Sequence, residues 1–113
     1  MKAIPKSLLI HKVTLYRIAE KDRWGKIIMD SGTALWRVRM EPSSKIIRDK
    51  QNAEIQLSAV LFLDCRNSRP GNVELVVDDV IVFNTQKLRV AAVEPLYDGQ
   101  RLHHYEIGLV KYA

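Results

Sequence analysis

Alternation of apolar and polar residues, which is typical of half-buried β-strands, recurs along most of the chain. In residues 35–40 the apolar positions share one face and the arginines share the other. The apolar positions are Trp36, Val38 and Met40, and the arginines are Arg37 and Arg39. The pattern predicts a strand that buries Trp36 and ends at the turn-forming residues 41–44, EPSS.

Residues 53–63 predict a second strand of unusual length. Alternate positions on one face are apolar, namely Ala53, Ile55, Leu57, Ala59, Leu61 and Leu63. From Val60 to Phe62 the other face also becomes apolar, which indicates a strand that runs from an exposed edge into a doubly covered centre. Because strands usually have about 5–6 residues, we expect a bend or a bulge within it.

Turn residues separate further strands in the second half of the chain. Residues 67–72, NSRPGN, form a dense turn cluster. The apolar run 80–83, VIVF, predicts a buried strand, and Asn84-Thr85 predicts a tight turn into a strand over 87–93. Residues 94–99, EPLYDG, predict another turn-rich stretch before the last strand, which contains Tyr105, Ile107 and Leu109.

The first twenty-five residues alternate less regularly. Strand-type residues over 8–18 indicate one strand, and residues 20–25 indicate a loop. No window predicts an amphipathic helix, although residues 43–53 could hold one helical turn. Short strands separated by turns predict an all-β fold: one domain over 1–113, a small barrel or sandwich of about six to seven mainly antiparallel strands with long loops. We expect Trp36, Phe62 and Phe83 in its core.

Cysteine content and the N-terminal pattern bear on the compartment. Cys65 is the only cysteine, so no disulfide can form within the chain. The apolar run Leu8-Leu9-Ile10 has three residues, whereas a signal peptide needs about 7–15 and a membrane helix about 20. We therefore expect a protein made and kept in the cytoplasm, without a membrane partner.

Charge is unevenly distributed along the chain. The net charge is +5, but residues 1–50 hold twelve Lys and Arg against five Asp and Glu, and residues 51–113 hold six against eight. Such asymmetry is compatible with nucleic-acid contact, with head-to-tail self-association, or with solvated charges alone.

Catalytic and metal-binding patterns are weak. The neighbours His103 and His104, like Asp78 and Asp79, are expected to point to opposite faces of an extended chain, so neither pair predicts a shared site. Cys65 has no cysteine or histidine partner at a ligand or catalytic spacing, and no phosphate-binding glycine motif occurs. We predict no enzyme, no metal and no cofactor.

Two sets of residues are candidates for contact with other molecules. Lys45, Arg48 and Lys50 lie in a segment that the pattern predicts as a loop, where they could touch phosphates without base specificity. Trp24 lies in a polar loop and is a candidate for a protein interface, or it folds back over the end of the barrel. Arg37 and Arg39, on the polar face of their strand, are further interface candidates.

Six blocks of sequence, in order, resemble the minor capsid protein family of tailed bacteriophages. They are 23–25 (RWG), 39–50 (RMEPSSKIIRDK), 59–64 (AVLFLD), 67–70 (NSRP), 93–97 (VEPLY) and 102–107 (LHHYEI). The layout is also similar to head-completion, or stopper, proteins of the head–tail connector. The resemblance covers nearly the whole chain.

The resemblance implies a structural role in the virion. It implies a ring of identical subunits at the head–tail junction, contacts with portal or adaptor and tail proteins of the same phage, help in retaining packaged DNA, and synthesis in the bacterial host from a phage or prophage. By position, residues 41–52 would be the loop that faces the channel. The alternatives are a tail-completion component and a non-specific nucleic-acid-binding β-barrel.

Overall fold

Every element of secondary structure in the described chain is a β-strand. The computed structural model describes residues 2–21, 23–24, 27–29, 31–49 and 51–112. Its strands are β1 (His11–Tyr16), β2 (Ile18–Lys21), β3 (Ile27–Met29), β4 (Thr33–Pro42), β5 (Ile46–Arg48), β6 (Glu54–Gln56), β7 (Ala59–Asp64), β8 (Val80–Phe83), β9 (Gln86–Asp98) and β10 (Arg101–Lys111). The predicted all-β class is confirmed, and no helix forms in these residues.

Six of these strands close into an antiparallel barrel in the order β1-β4-β7-β10-β9-β8, with β8 pairing back to β1. The remaining four form two separate hairpins, β2–β3 and β5–β6, within the connections from β1 to β4 and from β4 to β7. Because neighbouring strands run in opposite directions, these two connections lie at opposite ends of the barrel. The segments predicted as long loops around residues 20–25 and 41–52 therefore contain additional strands.

The barrel interior is filled by the alternate apolar residues of all six strands. The most deeply buried in this core are Val13, Leu15, Leu35, Val38, Leu61, Ile81, Val90, Ile107 and Leu109. This alternation matches the prediction for β7 and β10. Strand β7 pairs with β4 on one side and β10 on the other, and its residues Leu61 and Leu63 face the centre of the core.

The predicted burial of Trp36 is wrong, because β4 contains a bulge. Leu35 and Val38 are buried, whereas Trp36 is 46% exposed and Arg37 is also exposed. His11 of β1 pairs with Val38 and the next residue pairs with Trp36, so Arg37 is the extra residue. It adopts a left-handed φ of 56°, and two consecutive side chains therefore point outward.

The other two aromatic residues predicted in the core occupy different positions. Phe83 is partly buried and packs against the core, with its ring edge-on to His11 at 5.1 Å between centroids. Phe62 is not part of the buried core. It lies on the outside of β7 and stacks on His104 with a centroid distance of 6.3 Å.

The long strand predicted over 53–63 breaks at Leu57-Ser58. Its second half is β7 in the barrel, and its first half is β6, which pairs with β5 only. The backbone ladder continues across the break, because Ser43 N donates to Ser58 O at 3.1 Å and Leu57 N donates to Lys45 O at 2.8 Å. The expected bend is confirmed. Residues 43–58 thus form one extension of the β4–β7 pair, which we call the 43–58 hairpin.

The two predicted turns around β9 have different outcomes. Asn84 and Thr85 form the tight β8–β9 turn with φ values of 49° and 66°, as expected. The turn predicted over 94–99 is wrong, because β9 continues to Asp98 and the chain reverses at Gly99-Gln100. The pairing of β8 with β9 ends at Arg89, so Pro95 lies where β9 has a strand partner only in β10. A missing N–H is tolerated at such an edge.

Candidate assembly surfaces

Asp49 stabilises the tip of the 43–58 hairpin. Oδ1 of Asp49 accepts hydrogen bonds from the backbone N–H of Gln51 and of Ala53, both at 2.9 Å. Asn52 supplies the left-handed residue of the turn, with φ 63°. The predictions of a free loop over 41–52 and of a helical turn over 43–53 are both wrong, because the segment is a β-hairpin.

The three cations predicted for this segment have different environments. Arg48 donates to Asn52 O at 3.0 Å and to Oε1 of Glu54 at 3.2 Å, so its guanidinium stabilises the hairpin tip. Lys45 is exposed, and its side chain forms no ion pair with any residue that the structure describes. Lys50 lies outside the described residues. Lys45 is therefore the described candidate in this segment whose charge remains available.

The base of the hairpin lies against the outside of the barrel. Leu57 is 5% exposed and packs on Gly108 of β10. A Cβ atom on Gly108 would lie 3.0 Å from Cδ2 and 3.1 Å from Cδ1 of Leu57. The absence of a side chain at residue 108 is what allows this close packing.

Replacing Gly108 with valine is therefore expected to displace Leu57 and lower the free energy of unfolding by about 1–3 kcal/mol, as overpacking usually does. Limited proteolysis should then cut within the 43–58 hairpin faster than in the wild type. Gly71→Ala is the matched control, because a Cβ there meets no atom within 4 Å. Equal stability and equal cleavage for both variants would contradict the packing described for Leu57.

Trp24 lies in the β2–β3 connection, at the barrel end opposite the 43–58 hairpin. Its side chain is 80% exposed, and the Arg23 guanidinium lies 5.1 Å from the ring centroid. The alternative in which Trp24 folds back over the barrel end is wrong. A largely exposed tryptophan stacked with a cation is typical of residues that become buried when proteins associate.

The other two interface candidates both lie on the outside of β4. Arg39 is engaged within the chain, since Nε donates to Oε1 of Glu41 at 2.8 Å and Nη1 donates to Leu8 O at 3.1 Å. Arg37 forms no ion pair among the described side chains. Arg37 therefore has the more available charge of the two.

Asp64 is a structurally central residue that sequence reasoning missed. It is 2% exposed, and its carboxylate accepts backbone hydrogen bonds from Ile4 at 3.0 Å, Arg66 at 3.0 Å and Asn67 at 2.8 Å. Ser68 Oγ accepts from Asp64 N at 2.9 Å and donates to the carbonyl of Arg37 at 2.5 Å. The Asp-x-x-Asn-Ser spacing is a turn signal that could have indicated this role. Its contacts to Ile4 and Arg37 are visible only in the fold.

His103 and His104 come together, contrary to the expectation that they diverge. The β9–β10 register shifts between Leu102 and His104, so His103 is a bulge residue. The two Nδ1 atoms lie 2.7 Å apart. His103 Nε2 contacts Lys2 O at 2.6 Å, and His104 Nε2 contacts a carboxylate oxygen of Glu106 at 3.0 Å. Within the described ranges, no group of three or more His, Cys, Asp or Glu side chains could hold a metal ion.

Asp78 and Asp79 do point apart, as predicted. Asp78 is exposed and accepts from Arg89 Nη1 at 3.0 Å. Asp79 is 4% exposed and accepts from Val76 N at 2.9 Å, which closes the turn before β8. Both carboxylates thus have structural partners and do not form a pair.

A comparison with protein families shows to which family the chain belongs. A family model described as "Minor capsid protein" matches residues 5–109. The chain belongs to the phage minor capsid protein family. The resemblance expected from the six sequence blocks is confirmed, and membership of the family makes this minor capsid protein a structural component of the virion.

A search of the curated proteins finds no match. A similar solved structure is the phage-like element PBSX protein xkdH from Bacillus subtilis, with a TM-score of 0.47 and 13% sequence identity, covering 89% of this chain and 92% of that one. In the described part of the minor capsid protein, no helix is long and apolar enough to cross a membrane.

Cys65 of the minor capsid protein has an exposed side chain, but its environment disfavours the reactive thiolate form. Burial of part of the thiol, and secondly the neighbouring Asp64 carboxylate, raise its pKa above the ordinary value. Since the thiolate is the reactive form, a raised pKa leaves less of it at neutral pH. This environment is the opposite of the electropositive one that activates a nucleophilic cysteine.

Iodoacetamide is expected to alkylate Cys65 faster as the pH rises. The pH at the midpoint of this rise should be higher for the folded protein than for the protein unfolded in urea. The midpoint is shifted upward because the pKa of the thiol is raised, and the folded state favours the neutral thiol until the pH passes that pKa. Mass spectrometry of the alkylated fraction at each pH gives both midpoints. A folded-state midpoint equal to or below that in urea would contradict the prediction.

Proposed function

We propose that this minor capsid protein acts at the head–tail junction of the phage particle. In this proposal it assembles into a ring beneath the portal and adaptor, helps to retain packaged DNA, and presents a docking surface to the tail. Family membership supports a place in the virion. The observation that supports the junction most strongly is the ordered 43–58 hairpin, which extends the β4–β7 pair beyond the closed barrel.

The barrel favours association through side-chain surfaces and hairpins. Closure of the six-stranded sheet removes most of the free strand edges through which β-proteins otherwise pair. The two inserted hairpins instead carry distinctive groups at opposite ends, with Trp24 at one end and Lys45 at the other. A subunit with unlike ends and sides is suited to head-to-tail contacts, which close into a ring when the rotation permits.

The charge asymmetry of the sequence reaches the barrel wall only in part. The strands β1 and β4, from the basic first half of the chain, are neighbours in the barrel. The strands β7, β10, β9 and β8 come from the acidic second half and form the rest of the wall. Formal charges in β1 and β4 sum to +2, whereas those in the other four strands sum to zero. A wall with one basic and one neutral side supports an oriented contact between a subunit and its neighbours.

In the proposed ring, the 43–58 hairpin points towards the channel, with Lys45 as its available cation. A lysine that neutralises a phosphate releases counterions from DNA without reading its sequence, which fits a protein that holds any packaged genome. Trp24 is then proposed to contact neighbouring proteins of the particle.

The proposal is tested by electron microscopy of particles made with a shortened hairpin. Replacing residues 46–56 with Asn-Gly joins Lys45 to Leu57 by a two-residue turn, next to the hydrogen bond from Leu57 N to Lys45 O. The barrel strands remain intact. We expect DNA-filled heads that leak their genome or fail to join tails. Thr85→Gly, which changes the β8–β9 turn at the same barrel end and suits its φ of 66°, is the control and should give normal particles.

Normal, infectious particles from the shortened variant, or from a phage that lacks the protein altogether, would overturn the junction role. A tail-completion role predicts a different defect. Heads would then be full and stable, and the wild-type protein would be present in purified tails and absent from purified heads. The composition of purified heads and purified tails separates these two positions.

A further inference from the structure

A second basic surface, on the wall of the barrel, combines an exposed aromatic ring with three cations. We call it the Trp36 patch and define it as Lys12, Trp36, Arg37 and Arg69. Lys12 of β1 lies directly opposite Trp36 across the β1–β4 pair. Trp36 and Arg69 exchange two backbone hydrogen bonds, Trp36 N to Arg69 O at 2.9 Å and Arg69 N to Trp36 O at 3.0 Å.

The bulge in β4 creates this surface. An uninterrupted strand would send Trp36 and Arg37 to opposite faces, and the bulge sends both outward. The Ser68 hydroxyl fixes the bulge by donating to Arg37 O. The Arg69 guanidinium donates to Arg66 O at 2.6 Å and Ser68 O at 2.9 Å, which holds the next turn beside the tryptophan. The patch is thus built by tertiary contacts that also stabilise the barrel.

The positive charge of the patch is not neutralised within the described chain. Three other arginines, Arg39, Arg48 and Arg89, each pair with a carboxylate at 2.8–3.2 Å. Lys12, Arg37 and Arg69 form no ion pair with any described side chain. The neighbouring Asp64 carboxylate is buried and accepts three backbone N–H groups.

Cations around a half-exposed indole match the chemistry of a nucleic-acid backbone. Phosphates attract the cations at a spacing that does not depend on sequence, and the flat ring of Trp36 can pack on a sugar or on an unstacked base. An interface for an acidic protein segment would use the same charges, but it would gain less from an indole that lies between them.

We propose that the Trp36 patch binds the phosphate backbone of nucleic acid. The identification of that nucleic acid as packaged DNA rests on the proposed function, whereas the binding chemistry does not. Contact through the patch would place DNA against the β1–β4 wall of the subunit, in addition to the 43–58 hairpin.

The test uses the full chain and two fluorescent probes, a single-stranded oligonucleotide of about fifteen nucleotides and the matching duplex. Anisotropy titrations between about 50 and 200 mM salt give the slope of the logarithm of affinity against that of salt concentration. Lys12→Gln removes one cation. Arg37→Asn removes another and suits the left-handed backbone. Each is expected to flatten the slope by about 0.9 for the duplex and about 0.7 for the single strand.

Lys111→Gln is the matched control. It removes the same charge from an exposed residue of β10, which is not a neighbour of β1 or β4 in the barrel. We expect its salt slope to remain that of the wild type. If Lys12→Gln and Arg37→Asn weaken binding no more than Lys111→Gln does, the binding comes from net charge alone and the patch proposal is overturned.

The tryptophan gives an independent readout. Trp36→Ala is expected to lower affinity for the single strand about tenfold and for the duplex by less, and Trp36→Phe should restore most of the loss. Unchanged single-strand affinity in Trp36→Ala would also overturn the proposal. Thermal melting shows whether each variant is folded. Because these titrations use the isolated chain, their failure leaves the junction role to be decided by the particle experiment.

Discussion

Replacing Leu61 with alanine is expected to lower the free energy of unfolding by about 2–5 kcal/mol. Leu61 is 0% exposed and lies on β7, the strand that joins the β1–β4 side of the barrel to the β10–β9 side. Truncation removes apolar contacts and leaves a cavity that the closed sheet cannot collapse to fill. Urea denaturation followed by circular dichroism measures the change.

Trp36→Ala is the informative comparison for this prediction. It removes a larger side chain from the neighbouring strand, but that side chain is half exposed. We expect Trp36→Ala to lower the free energy of unfolding by about 1 kcal/mol, which is close to the average for point substitutions. A larger loss for Trp36→Ala than for Leu61→Ala would mean that the bulge at Arg37 is misplaced and that Trp36 lies in the core.

Asp64→Ala is expected to lower the free energy of unfolding by about 2–4 kcal/mol, which is the second of the two largest effects that we predict. The substitution leaves the backbone N–H groups of Ile4, Arg66 and Asn67 without their acceptor, and hydrogen bonds to a charged group are individually stronger than neutral ones. It should also release the N-terminal segment. Amide hydrogen exchange at Ile4, which is 60 residues from Asp64 in sequence, reports this release directly.

Asp78→Asn is the matched control for Asp64→Ala, because asparagine removes the charge and suits the left-handed φ of 79° at this residue. Asp78 is exposed, and its carboxylate pairs with Arg89 at the surface. We expect a change within about 0.5 kcal/mol and no faster exchange at Ile4. If the two aspartate variants are equally stable, or if exchange at Ile4 is unaffected by Asp64→Ala, Asp64 does not have the central role described here.

Local patterning was sufficient to predict the all-β class, although it left barrel and sandwich open. The alternation of Leu57, Ala59, Leu61 and Leu63 indicates a half-buried strand whichever partners it has, because the side-chain period of a strand is set by its own backbone. The Asn84-Thr85 turn is similarly local, since residues that accept a positive φ fix the hairpin register. These features required no knowledge of the rest of the chain.

The errors arose where one extra residue changes the face of every residue that follows. The bulges at Arg37 and His103 depend on partners distant in sequence, Ser68 in one case and Lys2 in the other. Strict alternation therefore placed Trp36 in the core and separated His103 from His104. Pro95 was read as part of a turn because its tolerance in β9 depends on where β8 ends, which is a property of the assembled sheet.

The sequence identifies the candidate residues as charged, but it does not show which of them contact one another. The sequence shows that the 43–58 hairpin is basic, but it does not show that Arg48 is held by Glu54 while Lys45 is available. Likewise Lys12, Arg37 and Arg69 are far apart in the chain, and the β1–β4 pairing and the Trp36–Arg69 bridge bring them together. Surface chemistry of this kind depends on register, which local patterning leaves open.

The most direct test of the junction role is the position of the protein in the particle. Cryo-electron microscopy of purified virions, reconstructed without imposed icosahedral symmetry, should show the barrel repeated as a ring at the portal vertex, with each 43–58 hairpin directed towards the channel. Density for the barrel distributed over the capsid shell, or confined to the far end of the tail, would contradict the account.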